Sequence, residues 1–198
     1  MCIRDRPIRV RLIKSGIAKS HRPDDIFKAA DCPIIGVGGP GELFIKATAD
    51  SLVRLTQVIQ ETSSKRSVKD LSCIETIELV TPLSRRKGKR PVDILKESPR
   101  KHDGFIAKVQ LFNYDSDTQQ QQAIIDLERV CEVHQIKLDS KGYSRGSFTY
   151  GAECQSSDAI EAISKVIGVR SVGSMPRIKM IRPQFHNHQP CENLPQID

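Results

Sequence analysis

With 198 residues, 38% of them hydrophobic and only 5% aromatic, the chain can bury one modest core or two small ones, and two small modules are the expected division. A formal net charge of +7 and a pI near 9.2 fit a nucleic-acid or membrane-surface partner, but eight lysines and arginines fall within Arg85–Lys101, so charge alone names no partner. No apolar run approaches the roughly 18 residues of a membrane-spanning helix, and no basic region followed by an apolar one opens the chain, which leads us to expect a cytoplasmic protein with no membrane partner.

Six cysteines (Cys2, Cys32, Cys73, Cys131, Cys154 and Cys191) are scattered without a CxxC pair. That excludes zinc-finger spacing and a dense disulfide scaffold, and leaves reduced, buried thiols as the expectation. His186-Asn187-His188 with Cys191 is the nearest thing to a ligand cluster, but it lies in a Pro-rich tail and lacks a fourth ligand. No metal and no cofactor are expected.

One encoding of the opening residues, ATG TGT ATA AGA GAC AG, resembles a transposon-end sequencing adapter. Met1–Arg6 are therefore set aside as an artefact of a truncated reading frame. From Pro7, Ile8, Val10 and Leu12 alternate with Arg9 and Arg11, the period of a half-buried strand. A polar loop follows at Lys19–Pro23. Gly36, Gly38 and Gly41 then form a GxGxxG, yet what comes after Pro40 is Glu42–Thr48, a strand pattern. A dinucleotide fingerprint needs a helix there, and a P-loop needs Lys-Ser/Thr. The glycines are thus expected to make a turn between extended segments. Asp50 or Ser51 can cap a helix over Leu52–Thr62, Ser63–Asp70 reads as a polar connection, and Cys73–Val80 as a strand. The first module, 7–82, is expected to be a related but less regular α+β unit, ordered strand, loop, strand, helix, strand.

Ser84–Asp103 carries eight Lys/Arg against three acids and two prolines, which reads as a solvated basic linker over 83–103. A nucleic-acid patch is the competing reading, weakened because no aromatic is interleaved to stack bases.

The second module, 104–181, has a clearer pattern. Phe105–Phe112 alternates as a strand, and Thr118–His134 reads as a helix with Ile124, Leu127 and Cys131 on its apolar stripe after a solvated Gln119–Gln122 start. Strands are expected at Ile136–Tyr143 and Gly146–Ala152, with a turn at Lys141-Gly142 or Arg145-Gly146. Ser157 or Asp158 caps a second helix bearing Ile160, Ile163 and Ile167, Gly168 stops it, and Val169–Val172 begins the last strand. That order is a ferredoxin-like β-α-β-β-α-β unit, a four-stranded antiparallel sheet with two helices on one face.

Several segments carry a family likeness. Ile167-Gly168-Val169-Arg170-Ser171-Val172, followed by Met175-Pro176-Arg177-Ile178, resembles the end of the propeptide-like (inhibitor I9-like) domain of subtilisin-like serine peptidases. Ala18–Pro23, Cys32–Gly36, Gly41–Phe44 and Leu71–Glu75 resemble the N-terminal region of a bacterial S8-family peptidase group, often considered alongside a neighbouring AAA ATPase. The resemblance implies a noncatalytic N-terminal fragment that assists, inhibits or positions a catalytic subtilisin-like domain missing from this chain, with 182–198 as a tail toward it. The Asp-Gly/Ser-Gly, His-Gly-Thr and Gly-Thr-Ser segments that supply a subtilisin triad do not occur here, so no catalytic residue is assigned. If the second sheet packs on the protease, Phe105, Val109, Phe148 and Tyr150 are the interaction candidates, with a place in the module's own core as the competing role. The alternative function is a basic ferredoxin-like nucleic-acid-binding module, although Gly146–Tyr150 and Phe105–Leu111 lack the aromatic pattern of an RRM. A small-molecule regulatory module of this topology is a third class for which no ligand residues stand out.

Overall fold

A computed structural model describes residues 6–13, 23–101, 104–140 and 143–175. His21, most of the Lys19–Pro23 loop, His102, Lys141-Gly142 and the tail with His186, His188 and Cys191 lie outside the described residues.

The alternating Ile8, Val10 and Leu12 do form a strand, β1 (Arg6–Leu12), with these three side chains buried. It pairs antiparallel with β3 (Glu42–Ala47) on one side and β4 (Ile74–Leu79) on the other, and β2 (Ile34–Val37) adds to β3. Three helices cover one face: α1 (Asp24–Ala29), α2 (Ala49–Glu61) and α3 (Lys65–Ser72). Ile26 and Phe27 of α1 and Leu55 of α2 close a core over Val10, Leu43 and Ile45.

Two expectations for this module are corrected. The stretch before β2 contains a helix, and the polar connection after α2 is α3, capped by Ser64, whose hydroxyl accepts from the Ser67 N–H at 3.1 Å. The cap of α2 is Thr48, not Asp50 or Ser51. Ser51 is the reciprocal partner at the third helical position, donating its N–H to Thr48 Oγ1 (3.0 Å) while its own hydroxyl accepts from the Thr48 N–H (2.8 Å).

In the second module β6 (Gly104–Leu111) is the central strand. β8 (Thr149–Cys154) pairs along one edge of it, and β9 (Val169–Ser174) with the two-residue β5 (Arg100–Lys101) along the other. β7 (Lys137–Asp139) is outermost, beside β8. The helices α6 (Asp117–Val133) and α7 (Ser157–Lys165) pack on one face, burying Leu127, Cys131, Ile160 and Ile163 against Ala107, Val109 and Val172. Full burial of an Ile or Leu contributes about 1.5–3 kcal/mol, so this stripe holds the unit together.

The sheet has five strands; apart from the two-residue β5, they run 2-3-1-4 by order of appearance, the ferredoxin-like order, and so do the four strands of the first sheet. The expected irregular unit is therefore a second copy of the same topology. Local corrections follow from capping. α7 is capped by Ser156, not Ser157 or Asp158. Gln120 is buried and its Oε1 accepts the Tyr114 N–H at 2.9 Å, so the start of α6 is not a purely solvated turn. Gly168 lies beyond the helix stop, where an added Cβ would come within 2.6 Å of the Ala123 Cβ, and its job is to let α6 come close.

The basic stretch is not a solvated linker. It folds into α4 (Pro82–Arg85) and α5 (Pro91–Glu97), each with Pro at its first position, and Ile94 of α5 belongs to the second core. Arg85 and Arg86 are both buried.

Candidate functional site: the cleft between the two sheets

Strand parity places the four interaction candidates. Val109 faces the helices and is fully buried; Tyr150 is its cross-strand partner, and Phe105 pairs with the buried Cys154. Phe148 ends a 3-10 turn (Arg145–Ser147) with φ 45°, packs on the same core, and its carbonyl accepts the Leu111 N–H at 3.0 Å. All four lie on the helix side or its rim. The helix-free face carries the intervening positions, among them Ile106, Lys108 and Gln110 on β6 and Glu153 on β8. Over it Tyr143 stacks near the Lys108 ammonium (5.9 Å) and its hydroxyl meets Met175 Sδ at 3.1 Å, so the residue leaving β9 crosses this face.

The corresponding face of the first sheet is partly covered by the second module. Ile35 and Phe44 there pack against Phe112, whose ring meets that of Phe44 edge-on at 5.2 Å. From β9, the Arg170 guanidinium lies over the Phe44 ring at 5.5 Å and donates to the Val37 carbonyl. Burial lowers the pKa of Arg170, and the Glu42 carboxylate acts in the opposite direction. Lys46 Nζ also donates to Gln119 Oε1 at 3.3 Å, across the same junction.

A second tie explains the two buried arginines. The last carbonyls of α7 have no partner within the helix, and Arg85 donates to one of them, that of Ser164, from Nη1 (2.9 Å), and to the Ile167 carbonyl just past the helix end from Nη2 (3.2 Å). Arg86 Nη1 donates to Ser164 Oγ (2.7 Å) and Glu161 Oε2 (3.0 Å). Desolvation lowers the Arg85 pKa to about 10, which leaves it charged at neutral pH.

Between these ties lies an open cleft of about 860 Å³. One wall is the first sheet's helix-free face, where Arg9 sits between Glu78 (2.5 Å) and Glu42 (3.7 Å) and Arg11 is the cross-strand partner of Glu42. The opposite wall is Gln110 with its cross-strand partner Ser171, beside Arg170, and the turn after α4 brings Lys87 to the rim. Arg9 Nε and Arg85 Nε are buried with no hydrogen-bond partner among the described residues. An unmet buried donor costs about 1–3 kcal/mol, so these two are places where the fold is under-satisfied.

The glycine turn forms the third side. As the strand pattern after Pro40 implied, it is a hairpin between β2 and β3, with the Gly38 N–H donating to the Glu42 carbonyl at 2.8 Å. Gly41 has φ +77°, and a Cβ there would lie 2.8 Å from the Leu12 carbonyl oxygen, so only glycine fits. A Cβ on Gly38 would come within 2.6 Å of Glu42 Oε2, and the Gly39 N–H donates to that oxygen at 3.3 Å. The turn thus does hold an anion, but the anion is the chain's own Glu42. Among the described residues no group of three or more His, Cys, Asp or Glu is placed to hold a metal ion, and no helix is long and apolar enough to cross a membrane.

Sequence reasoning missed this cleft because its residues come from five separated stretches. The one signal pointing to it was the glycine run, which was read correctly as a turn but not as a wall. No protein-family model matches this chain, and no curated protein matches it in sequence.

Proposed function

We propose that the chain is a noncatalytic N-terminal part of a subtilisin-like serine peptidase, working by contact with a catalytic domain to assist its folding, inhibit it or position it. One observation carries the reading. Three segments that bear the resemblance meet at one junction: Cys32–Gly36 and Gly41–Phe44, neighbours in one hairpin, and the distant Ile167–Val172, through Ile35, Phe44 and Arg170. A second point of support is the ferredoxin-like order of both sheets, the topology the resemblance implies. In this reading the helix-free face of the second sheet, with Ile106, Lys108 and Gln110, takes the place first given to Phe105, Val109, Phe148 and Tyr150. The catalytic domain is the partner, an AAA ATPase belongs to the same proposal, and the cytoplasm is the proposed compartment.

The test begins with the DNA downstream of this reading frame, where a subtilisin-type domain is expected. That domain is then refolded with and without this chain, and peptidase activity is followed. A change in refolding yield or activity supports the role; no change in either abolishes it.

The nucleic-acid alternative loses part of its footing, because Arg85 and Arg86 are spent on α7 rather than presented to solvent. Retention on single-stranded RNA or DNA that falls steeply with salt would restore it.

A further inference from the structure

We infer that the cleft between the two sheets is a binding site for a small phosphoryl-bearing anion of about nucleotide or sugar-phosphate size. The inference is independent of the peptidase reading. Its first support is charge. Arg9, Arg11, Lys87 and Arg170 line the cleft with Glu42 as the single acid of the lining, Arg85 backs it from its seat on Ser164, and Glu78 outside the lining pairs with Arg9, so cations remain in excess. Such a concentration of guanidinium groups in one concavity focuses the field on an incoming anion. Among the described residues neither Arg11 nor Lys87 has a carboxylate within 4.0 Å, Glu78 acting on Arg11 only from farther off, so the two cations at the mouth can meet an incoming anion.

The second support is donor geometry. The Arg9 and Arg85 side chains that line this cleft each hold a buried Nε–H with no partner, and among the described residues the side chains of Gln110 and Ser171, whose backbones pair in the ladder, make no hydrogen bond. Guanidinium forks match the oxygens of a phosphoryl group, and a terminal phosphate carries enough charge to balance more than one of them. The third support is Glu42. Its carboxylate already rests on the Gly39 N–H and on Arg9, the contacts an incoming phosphate oxygen would compete for. The apolar side chains of Phe44, Val80 and Leu83 lining the same space give the organic part of the ligand a surface to lie on.

Calorimetric titration of the full chain with pyrophosphate, ATP, sulfate and a short oligonucleotide tests this at low salt. Pyrophosphate and ATP are expected to bind, and Arg11→Ala, at an exposed position whose loss leaves both cores intact, is expected to weaken them about tenfold, the loss of one charge-assisted contact. Glu42→Gln is expected to tighten both, since it removes the competing carboxylate, whereas Lys137→Ala on β7, an exposed cation outside the cleft, leaves them unchanged. Absence of binding by either phosphoryl compound overturns the proposal. So does equal binding of sulfate, equal weakening by Lys137→Ala, or an oligonucleotide that binds more tightly than ATP with the same dependence on Arg11.

Discussion

The two sheets share one strand order but are finished differently. In the second module a single 17-residue helix, α6, and the shorter α7 seal a continuous core, and the opposite face of the sheet stays largely polar. In the first, the helix layer is broken into α1, α2 and α3, and the opposite face carries Ile35 and Phe44, which are buried where Phe112 and Arg170 of the other module lie on that face. The same topology thus yields one unit with its apolar surface enclosed and one that completes its burial by leaning on its neighbour. Asymmetric dependence is the lesson, and it can be broken at several points.

The largest effect is expected at Phe112, fully buried at the junction. Phe112→Ala should cost about 3–5 kcal/mol and split unfolding into two steps, the first module melting before the second. Urea titration followed by circular dichroism checks it. A single transition with an unshifted midpoint would show that the modules do not depend on each other there.

A middle-sized effect separates two glycines. Gly168→Ala drives a Cβ into Ala123 and should cost about 1–3 kcal/mol. Gly36→Ala in β2 meets its nearest atom, Arg170 Nη1, at an ordinary 3.7 Å and should change stability little. Equal thermal shifts for the two would remove the claim that Gly168, unlike Gly36, marks a close approach.

The smallest concerns thiols. Desolvation pushes Cys131 and Cys154 up to about 12, while at Cys32 the upward push of burial is opposed by a hydrogen bond with Ser51 and by Arg54. A raised folded pKa gives stability that is complete below the unfolded thiol's value of about 8.5 and is lost as pH rises from there toward 12. The urea midpoint should therefore fall between about pH 8 and pH 11, and less so in a Cys131→Ala/Cys154→Ala variant. Parallel pH profiles for the two proteins would refute this.

The second module was legible because its apolar spacing is long and regular: Ala107, Val109 and Leu111 at period two, Leu127 and Cys131 at helical spacing. The first module's α1 has six residues and α3 is polar apart from Val68 and Leu71, so neither gives a periodic signal. The caps fell one or more positions early because Ser and Asp cluster there and periodicity does not choose among them. In the basic stretch, eight cations suggested solvent, yet Thr81-Pro82-Leu83-Ser84 holds a capping box with Pro at the first helical position. Weighing that local chemistry above bulk charge would have revealed α4. The cleft itself was beyond reach, since no sequence pattern says that residues near 9, 39, 87 and 170 share one space.

The arginine caps on α7 redraw the boundary between the two units. Ser164 and Ile167 receive their partners from Arg85, and Ile94 fills the core, although both residues precede the module's first long strand. A chain cut at Gly104 would carry the complete ferredoxin-like pattern and still lack part of its own inside. A piece that starts at Thr81 keeps both residues, so what reads as a tether between two folds is the opening segment of the second.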